Sequence, residues 1–440
     1  MHELARAASE AGADYDGRSA AGTPDHRHRR LVGGPHRACG RKQDCYGGVS
    51  VGSVRTDATL TTPALLVDWA VLLENVRSMA ALAKGAGVAL RPHAKTHKCV
   101  EIAEVQIEHG ATGLAVATLR EAEYFSDNGF TDLLITGQVV GTHSLERLLR
   151  VARQARVSVA VDDVEVASAI DGAALRAGLS IGLLWEIDCG VGRSGTQPGE
   201  PTVDLLTKIL PTLRAATFEG LMTYGGHVYA SRTDAELEAA ANDEGEAARH
   251  TARLLEDHGI GTRVLSVGTT PTARRISKDR GVTEVRPGCY VFNDATQLAL
   301  GLVEMRSCAL TVLSTVISHP TANRIILDAG AKALSTRRLT ARTEGFGLVV
   351  DHPGLAVTQL YDEHGVVESD FPISLRVGDR VKILPNHAAS TVNQHSCMWV
   401  IDSDDAVTGS LEVQARAWEA ASGPRRSVQP VRSLGMTARA

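Results

Sequence analysis

The sequence predicts an α/β protein, a (β/α)8 TIM barrel followed by an all-β domain, and three observations carry that expectation. Eight short runs rich in β-branched residues recur between Val88 and Phe292, separated by stretches with helical spacing. Beyond about Leu300 the helical spacing fades, and strand-like runs follow one another across turns. At 440 residues the chain is long enough for a barrel plus a second, smaller domain. Alternating strand and helix patterns imply a parallel sheet, and eight repeats favour a closed barrel over an open sheet.

Taken in order, residues 1–57 predict a disordered leader. The stretch "GTPDHRHRRLVGGPHRACGRKQ" is rich in Gly, His and Arg and carries neither helical nor strand periodicity. Its basic cluster, Arg27 to Arg30, reads as a solvated tail rather than a binding arm, and a start near Val49 to Val54 would remove it. "PALLVDWAVLLENVRSMAALAKGAG" then reads as a short strand and an amphipathic helix closed by a glycine. The barrel is expected over 70–303, through "VALRPHAK", "GLAVATL", "DLLITGQ", "VSVAVDD", "IGLLWEID", "FEGLMTYG", "VLSVGTT" and "EVRPGCYVF". Intervening segments such as "REAEYFSDNG" have helical spacing. The β domain is expected over 304–420, through runs such as "ALTVLSTVIS", "RVGDRVKILP" and "SCMWVID", and residues 421–440 read as a frayed tail.

Composition removes several function classes. A net charge of -5 offers no basic excess to neutralise a phosphate backbone, so no nucleic-acid partner is expected. No apolar run approaches the roughly 20 residues that span a bilayer, and the N-terminus has no signal-peptide core. Seven cysteines lie scattered without paired spacing, which fits a reducing cytoplasm better than a disulfide framework.

Barrel enzymes place their chemistry at the C-terminal ends of the strands. Reading those ends gives Lys95, Gln138, "DCGVGRSG" (188–195), "YGGH" (224–227), "GTTPT" (268–272) and "RPGCY" (286–290). If the first strand runs on through "LRPHAKTHK", alternation puts His93, Lys95 and His97 on one face and Thr96 with Lys98 on the other. Lys95 would then be desolvated between imidazoles, which lowers an amine pKa and suits Schiff-base chemistry. The plain alternative is an inward lysine paired with a carboxylate, while Lys98 reads as outward and solvated. "VGTTPTARR" offers glycine amides, hydroxyls and a helix start, and "RPGCY" adds the amides of Gly288 and Cys289, together a phosphate cradle. A phosphate cradle across a barrel from a Schiff-base lysine describes pyridoxal 5'-phosphate.

The motifs "RPHAKTHK", "DCGVGRSG", "VGTTPT", "RPGCYVFND" and "GDRVKILPNHA" resemble the D-threonine aldolase and D-serine dehydratase family, fold-type III pyridoxal-phosphate enzymes related to alanine racemase. The likeness runs from about Leu60 to Ile401. It implies an alanine-racemase-like barrel whose β domain also takes in a strand within 58–69, and a homodimer with sites between one barrel and the partner's β domain. It implies Lys95 as the Schiff-base residue and Arg193 at the cofactor's phenolic oxygen. Thr269, Thr270, Gly288 and Cys289 would hold the phosphate, Tyr224 would lie beside the cofactor, and Tyr290 or Arg286 near the pyridine nitrogen. The family closes with His-x-Cys or His-x-Asp, which binds a divalent metal such as Mn, Zn or Mg. Here His387 is present but Ala389 occupies the second position, and alanine ligates nothing. One imidazole with water would hold a metal weakly. His395 and Cys397 would substitute only if the chain folded back.

The activity implied is that of a lyase on small D-configured β-hydroxy amino acids, by retro-aldol cleavage or by dehydration. His387 would also serve as a metal-free acid or base. A racemase of the same fold would need a second base, for which Tyr361 or His364 of a partner's β domain are the candidates. A non-catalytic pyridoxal-phosphate carrier is the reading from another class, though such carriers are lone barrels.

Overall fold

The structure is a computed structural model and describes residues 54–55, 60–275, 281–343 and 345–416. Two strands precede the barrel, β1 (Val54–Arg55) and β2 (Ala64–Asp68). Between β2 and the barrel lies the helix Trp69–Ala86, capped by the Asp68 carboxylate, which accepts from Val71 N at 3.0 Å. It ends at Gly87, whose φ of 66° is left-handed. Leu72, Val76, Met79 and Ala83 recur at helical spacing and form its buried stripe. Truncating Leu72 to alanine would cost about 2–5 kcal/mol.

The barrel strands are β3 (Ala89–Leu90), β4 (Leu114–Val116), β5 (Asp132–Ile135), β6 (Arg156–Val161), β7 (Ile181–Ile187), β8 (Ala216–Thr223), β9 (Val264–Val267) and β10 (Glu284–Val285). All pair in parallel, in the order β3-β10-β9-β8-β7-β6-β5-β4. A parallel bridge between His93 and Ala115 joins the two outer strands beyond β3. Each of the eight expected runs contributes one strand. Low in the sheet, Arg91 ties three strands together by bonding Glu284 at 2.7 Å and Asp132 at 2.6 Å.

The β domain comprises β11 (Leu310–Thr321), β12 (Arg324–Leu327), β13 (Gly347–Val349), β14 (Val357–Leu360), β15 (Gly365–Glu368), β16 (Arg380–Pro385), β17 (Cys397–Ile401) and β18 (Ala406–Glu412). β2 belongs to this domain, antiparallel to β11 (Leu310 opposite Val67) and parallel to β17. The chain thus enters the β domain, builds the barrel and returns. β1 pairs with β18, Val54 opposite Val407, so the expected leader gives way to a strand before residue 57. The remainder of that leader and the tail over 421–440 lie outside the described residues.

Candidate active site

A cavity of about 710 Å³ opens at the C-terminal ends of the barrel strands, walled on its other side by Arg337 and by residues of the His387 turn. Lys95 sits inside it on a single 3₁₀ turn, Ala94–Thr96. This turn corrects the expected alternation. Pro92 lacks the N–H that a continuing strand would need, and a 3₁₀ turn eclipses residues three apart. Lys95 and Lys98 therefore both reach the cavity, while His97 points away, bonding Cys99 O at 3.0 Å and meeting the Phe125 ring edge-on. Lys98 is not solvated. Its φ of 53° swings the amine inward to Asn393 Oδ1 at 2.7 Å and Glu121 Oε1 at 3.5 Å. Of the two expected imidazoles only His93 lines the cavity, its Nε2 3.1 Å from Thr136 Oγ1 and its Nδ1 without a partner among the described residues.

The Lys95 amine has no carboxylate within ion-pair distance among the described residues, so the paired alternative is set aside. Its Nζ stands 5.5 Å from the centre of the Tyr224 ring, on which the Arg193 guanidinium stacks at 4.5 Å. Burial lowers its pKa, with the cations of Arg193 and Arg286 acting in the same sense and Glu121 in the opposite one. Glu186, on the neighbouring wall, accepts from Gln138 at 3.0 Å and Ser194 at 2.9 Å, and burial pushes its carboxyl up.

The cradle forms where the last three barrel strands end. Glu244 Oε1 accepts from Gly225 N at 2.8 Å, Gly268 N at 2.9 Å and Thr223 Oγ1 at 3.1 Å, fastening β8 to the turn after β9. Thr269 and Thr272 cap one another, and Thr270 Oγ1 accepts from Tyr290 N at 3.1 Å. Gly268, at φ 107°, occupies a conformation that side chains resist. A Cβ at Gly288 would stand 2.6 Å from Thr96 Oγ1, so glycine is what lets this loop meet the Lys95 turn. Arg286 is buried, held by Ser266 Oγ at 2.5 Å and by the Thr223 carbonyl, and lines the cavity. Tyr290 does not. The turn Cys289–Val291 drives its ring into the core, where its hydroxyl accepts from Gln106 at 3.0 Å. Cys289 lines the cavity with its thiol pKa raised by burial.

At the opposite wall His387 caps the short helix Ala388–Val392, its Nδ1 accepting from Ser390 N at 3.1 Å. Burial and the nearby cations of Arg337 and Lys95 depress its pKa to about 3. Ala389 and Ser390 line the cavity beside it. His395 Nε2 instead meets Ala333 O at 2.9 Å, and neither it nor Cys397 reaches the cavity. Among the described residues no group of three His, Cys, Asp or Glu side chains is placed to hold a metal. Tyr361 and His364 also lie outside this chain's cavity.

Several wall residues escape the sequence reading: Glu121, Glu186, Arg337 and Asn393. Glu186 has a usable signal, a carboxylate in the apolar run "IGLLWEID". Arg337 has none, because it lies between strands where no period applies.

Comparison with known proteins places this architecture. The alanine racemase N-terminal domain matches residues 67–296, and a serine dehydratase domain matches residues 309–401. The chain belongs to the alanine-racemase-like family of D-threonine aldolases and D-serine dehydratases. It is 36% identical to a D-threo-3-hydroxyaspartate dehydratase of Delftia sp. (strain HT23), over 79% of this chain and 96% of that protein. It is 34% identical to a D-threonine aldolase of Arthrobacter sp, over 82% of this chain and 94% of that protein. Among solved structures, a D-threo-3-hydroxyaspartate dehydratase carrying a cysteine-to-alanine mutation, in the metal-free form, superposes with a TM-score of 0.75 at 36% identity. That match covers 80% of this chain and 97% of the other. These relatives are lyases of D-amino acids, and the families are pyridoxal-phosphate enzymes.

Proposed function

We propose that this chain is a pyridoxal-phosphate-dependent lyase acting on D-configured β-hydroxy amino acids, by dehydration or by retro-aldol cleavage. The observation that carries the reading is the half-buried amine of Lys95 inside the cavity, without an ion-pair partner among the described residues and opposite a glycine-lined cradle. The residues fit the cofactor: a desolvated primary amine, orphaned buried atoms at His93 Nδ1 and Thr96 Oγ1, and a loop at Gly288 that no side chain would leave open. Lys95 would hold the cofactor's aldehyde carbon, and the turns of Thr269, Thr270, Gly288 and Cys289 its phosphate. Arg286 would face its ring nitrogen, and Tyr224 with Arg193 its ring and phenolic oxygen. When bound, pyridoxal phosphate stabilises negative charge at the substrate Cα.

The remaining work falls to this chain's own groups. Lys95, whose pKa burial lowers, takes the Cα proton at Nζ. Arg337 and Lys98 supply positive charge on the side where a substrate carboxylate would enter. His387 faces the β-oxygen. The contribution of His387 and Arg337 from beyond the barrel argues against a carrier, which needs only the barrel. Free thiols at all five described cysteines support a reducing, cytoplasmic location, and a homodimer follows the family's habit as implied by the resemblance.

Feeding D-threonine and D-serine tests the reading. Glycine plus acetaldehyde marks the aldolase, and 2-oxobutyrate or pyruvate plus ammonia marks the dehydratase. Appearance of the L-enantiomer alone would replace the lyase with a racemase, and a protein that takes up no pyridoxal phosphate would end the reading.

A further inference from the structure

The family motif places a divalent metal on His387 and the residue two positions on, and the residues of this chain do not fit one. Ala389 offers a methyl group. The surviving imidazole is committed as well: Ser390 N–H donates to its Nδ1 at 3.1 Å as part of the helix cap, so Nδ1 has no lone pair to give. A neutral ring that accepts at Nδ1 carries its proton at Nε2. That nitrogen donates; it does not ligate. Neither His395 nor Cys397 turns toward the cavity to replace the missing ligand. The neighbours point the same way. Arg337 lines the same wall, without a carboxylate partner among the described residues, and a guanidinium beside the site opposes a dication.

We propose that His387 acts as an Nε2–H hydrogen-bond donor to the substrate β-oxygen, standing with Arg337 where relatives of this family would hold a metal. This rests on the lyase reading above and selects between its two reactions. Retro-aldol cleavage requires a base to remove the β-hydroxyl proton, and neither nitrogen of His387 is free to accept it. Dehydration needs only that the β-oxygen be held and protonated as it leaves. Lys95 takes the Cα proton at Nζ, the Cα–H electron pair moves toward Cβ, the Cβ–O bond breaks, and the same proton leaves with the oxygen as water. Lys95 ends as it began and no oxidant or reductant is consumed.

Metal content is measured on the holoenzyme produced with Mn²⁺ and Zn²⁺ in the medium, together with a titration by each metal alone. Wild type is expected to carry well under one metal per chain and to turn over D-serine or D-threonine to the keto acid equally with and without EDTA. Because His387 stays committed to its Ser390 bond, Ala389→Cys alone is expected to remain well under one metal per chain, and Ala389→Asp serves if the cysteine variant misfolds; stoichiometric metal in either variant would show that Nε2 ligates and would overturn the donor assignment. One metal per wild-type chain that disappears in His387→Asn, or glycine plus aldehyde as the main products, overturns the proposal. Should no D-β-hydroxy amino acid be consumed, the lyase reading falls, while metal binding still decides the state of His387.

Discussion

The barrel wall of the cavity and the wall formed by Arg337 and the His387 turn hold their charged groups by different means. On the barrel side Arg286 is fastened by Ser266 and Thr223 and Glu186 by Gln138 and Ser194, while behind the wall Glu244 gathers three donors from the ends of β8 and β9. Across the cavity, among the described residues, His387 rests on a single backbone bond within its own helix cap and Arg337 has no carboxylate to hold it. Preorganisation on one side suits a resident cofactor. Fewer ties on the other suit a substrate that comes and goes, and a change such as that to Ala389 meets little structural resistance there.

The largest break in this comparison is Lys95→Ala. Absorbance at roughly 410–430 nm, the range of a protonated Schiff base, should vanish, and turnover should fall by about a thousand-fold or more. Colour retained in the variant would move the attachment point elsewhere on the barrel. Next comes Glu244→Ala, which strips the shared acceptor from Gly225 N, Gly268 N and Thr223 Oγ1 and leaves buried donors unpaired. A loss of about 2–3 kcal/mol in urea unfolding is expected, against under about 1 kcal/mol for Glu244→Gln, which keeps an oxygen there. Equal losses would show that the bonds do not organise the cradle.

Gly288→Ala probes the meeting of the Lys95 turn with the cradle. Its Cβ would press on Thr96 Oγ1 at 2.6 Å, an overpacking worth about 1–3 kcal/mol. Cofactor affinity should weaken correspondingly, and Thr96→Ala should restore part of it in the double variant. An additive double variant would place the strain elsewhere.

What could be read without coordinates follows the same division. The eight barrel strands are legible because each is a short apolar run closed by turn residues, a local property. Lys95 and the glycine turns are legible because they sit at strand ends. Lys98 and Tyr290 are not, since each is aimed by one short turn: the 3₁₀ turn brings Lys98 inward and the turn after Gly288 takes Tyr290 away. Glu244 is one acid among many on the helix Asp234–Asp257, and only the tertiary approach of Gly225 and Gly268 singles it out. Ala389 is legible as a missing ligand, but the donor state of its neighbour His387 needed the bond from Ser390.

The effect that bears most directly on the β-domain wall is in acid. An unperturbed histidine titrates near pH 6.5, whereas burial, with the cations of Arg337 and Lys95, holds His387 down at about 3 in the folded chain. Between those values the unfolded chain binds a proton that the folded chain refuses, so stability is highest above about 6.5 and falls as the pH drops. His97, lowered to about 4, and His93, lowered further by burial beside Lys95, act with the same sign from the barrel side. Asp294 works against them: burial raises its carboxyl to about 7, so the folded chain binds the extra proton and stability declines as the pH rises toward that value. His387→Asn removes one imidazole while keeping a residue that caps helices well. The slope of unfolding free energy against pH should therefore drop by about 1.3 kcal/mol per pH unit between roughly pH 4 and 6. Urea unfolding of wild type and variant at about pH 4.5, 5.5 and 7.5 measures it. Parallel slopes would mean that His387 takes up a proton within the fold, at the Nδ1 that the Ser390 bond is meant to occupy, and the donor-only role would fall with them.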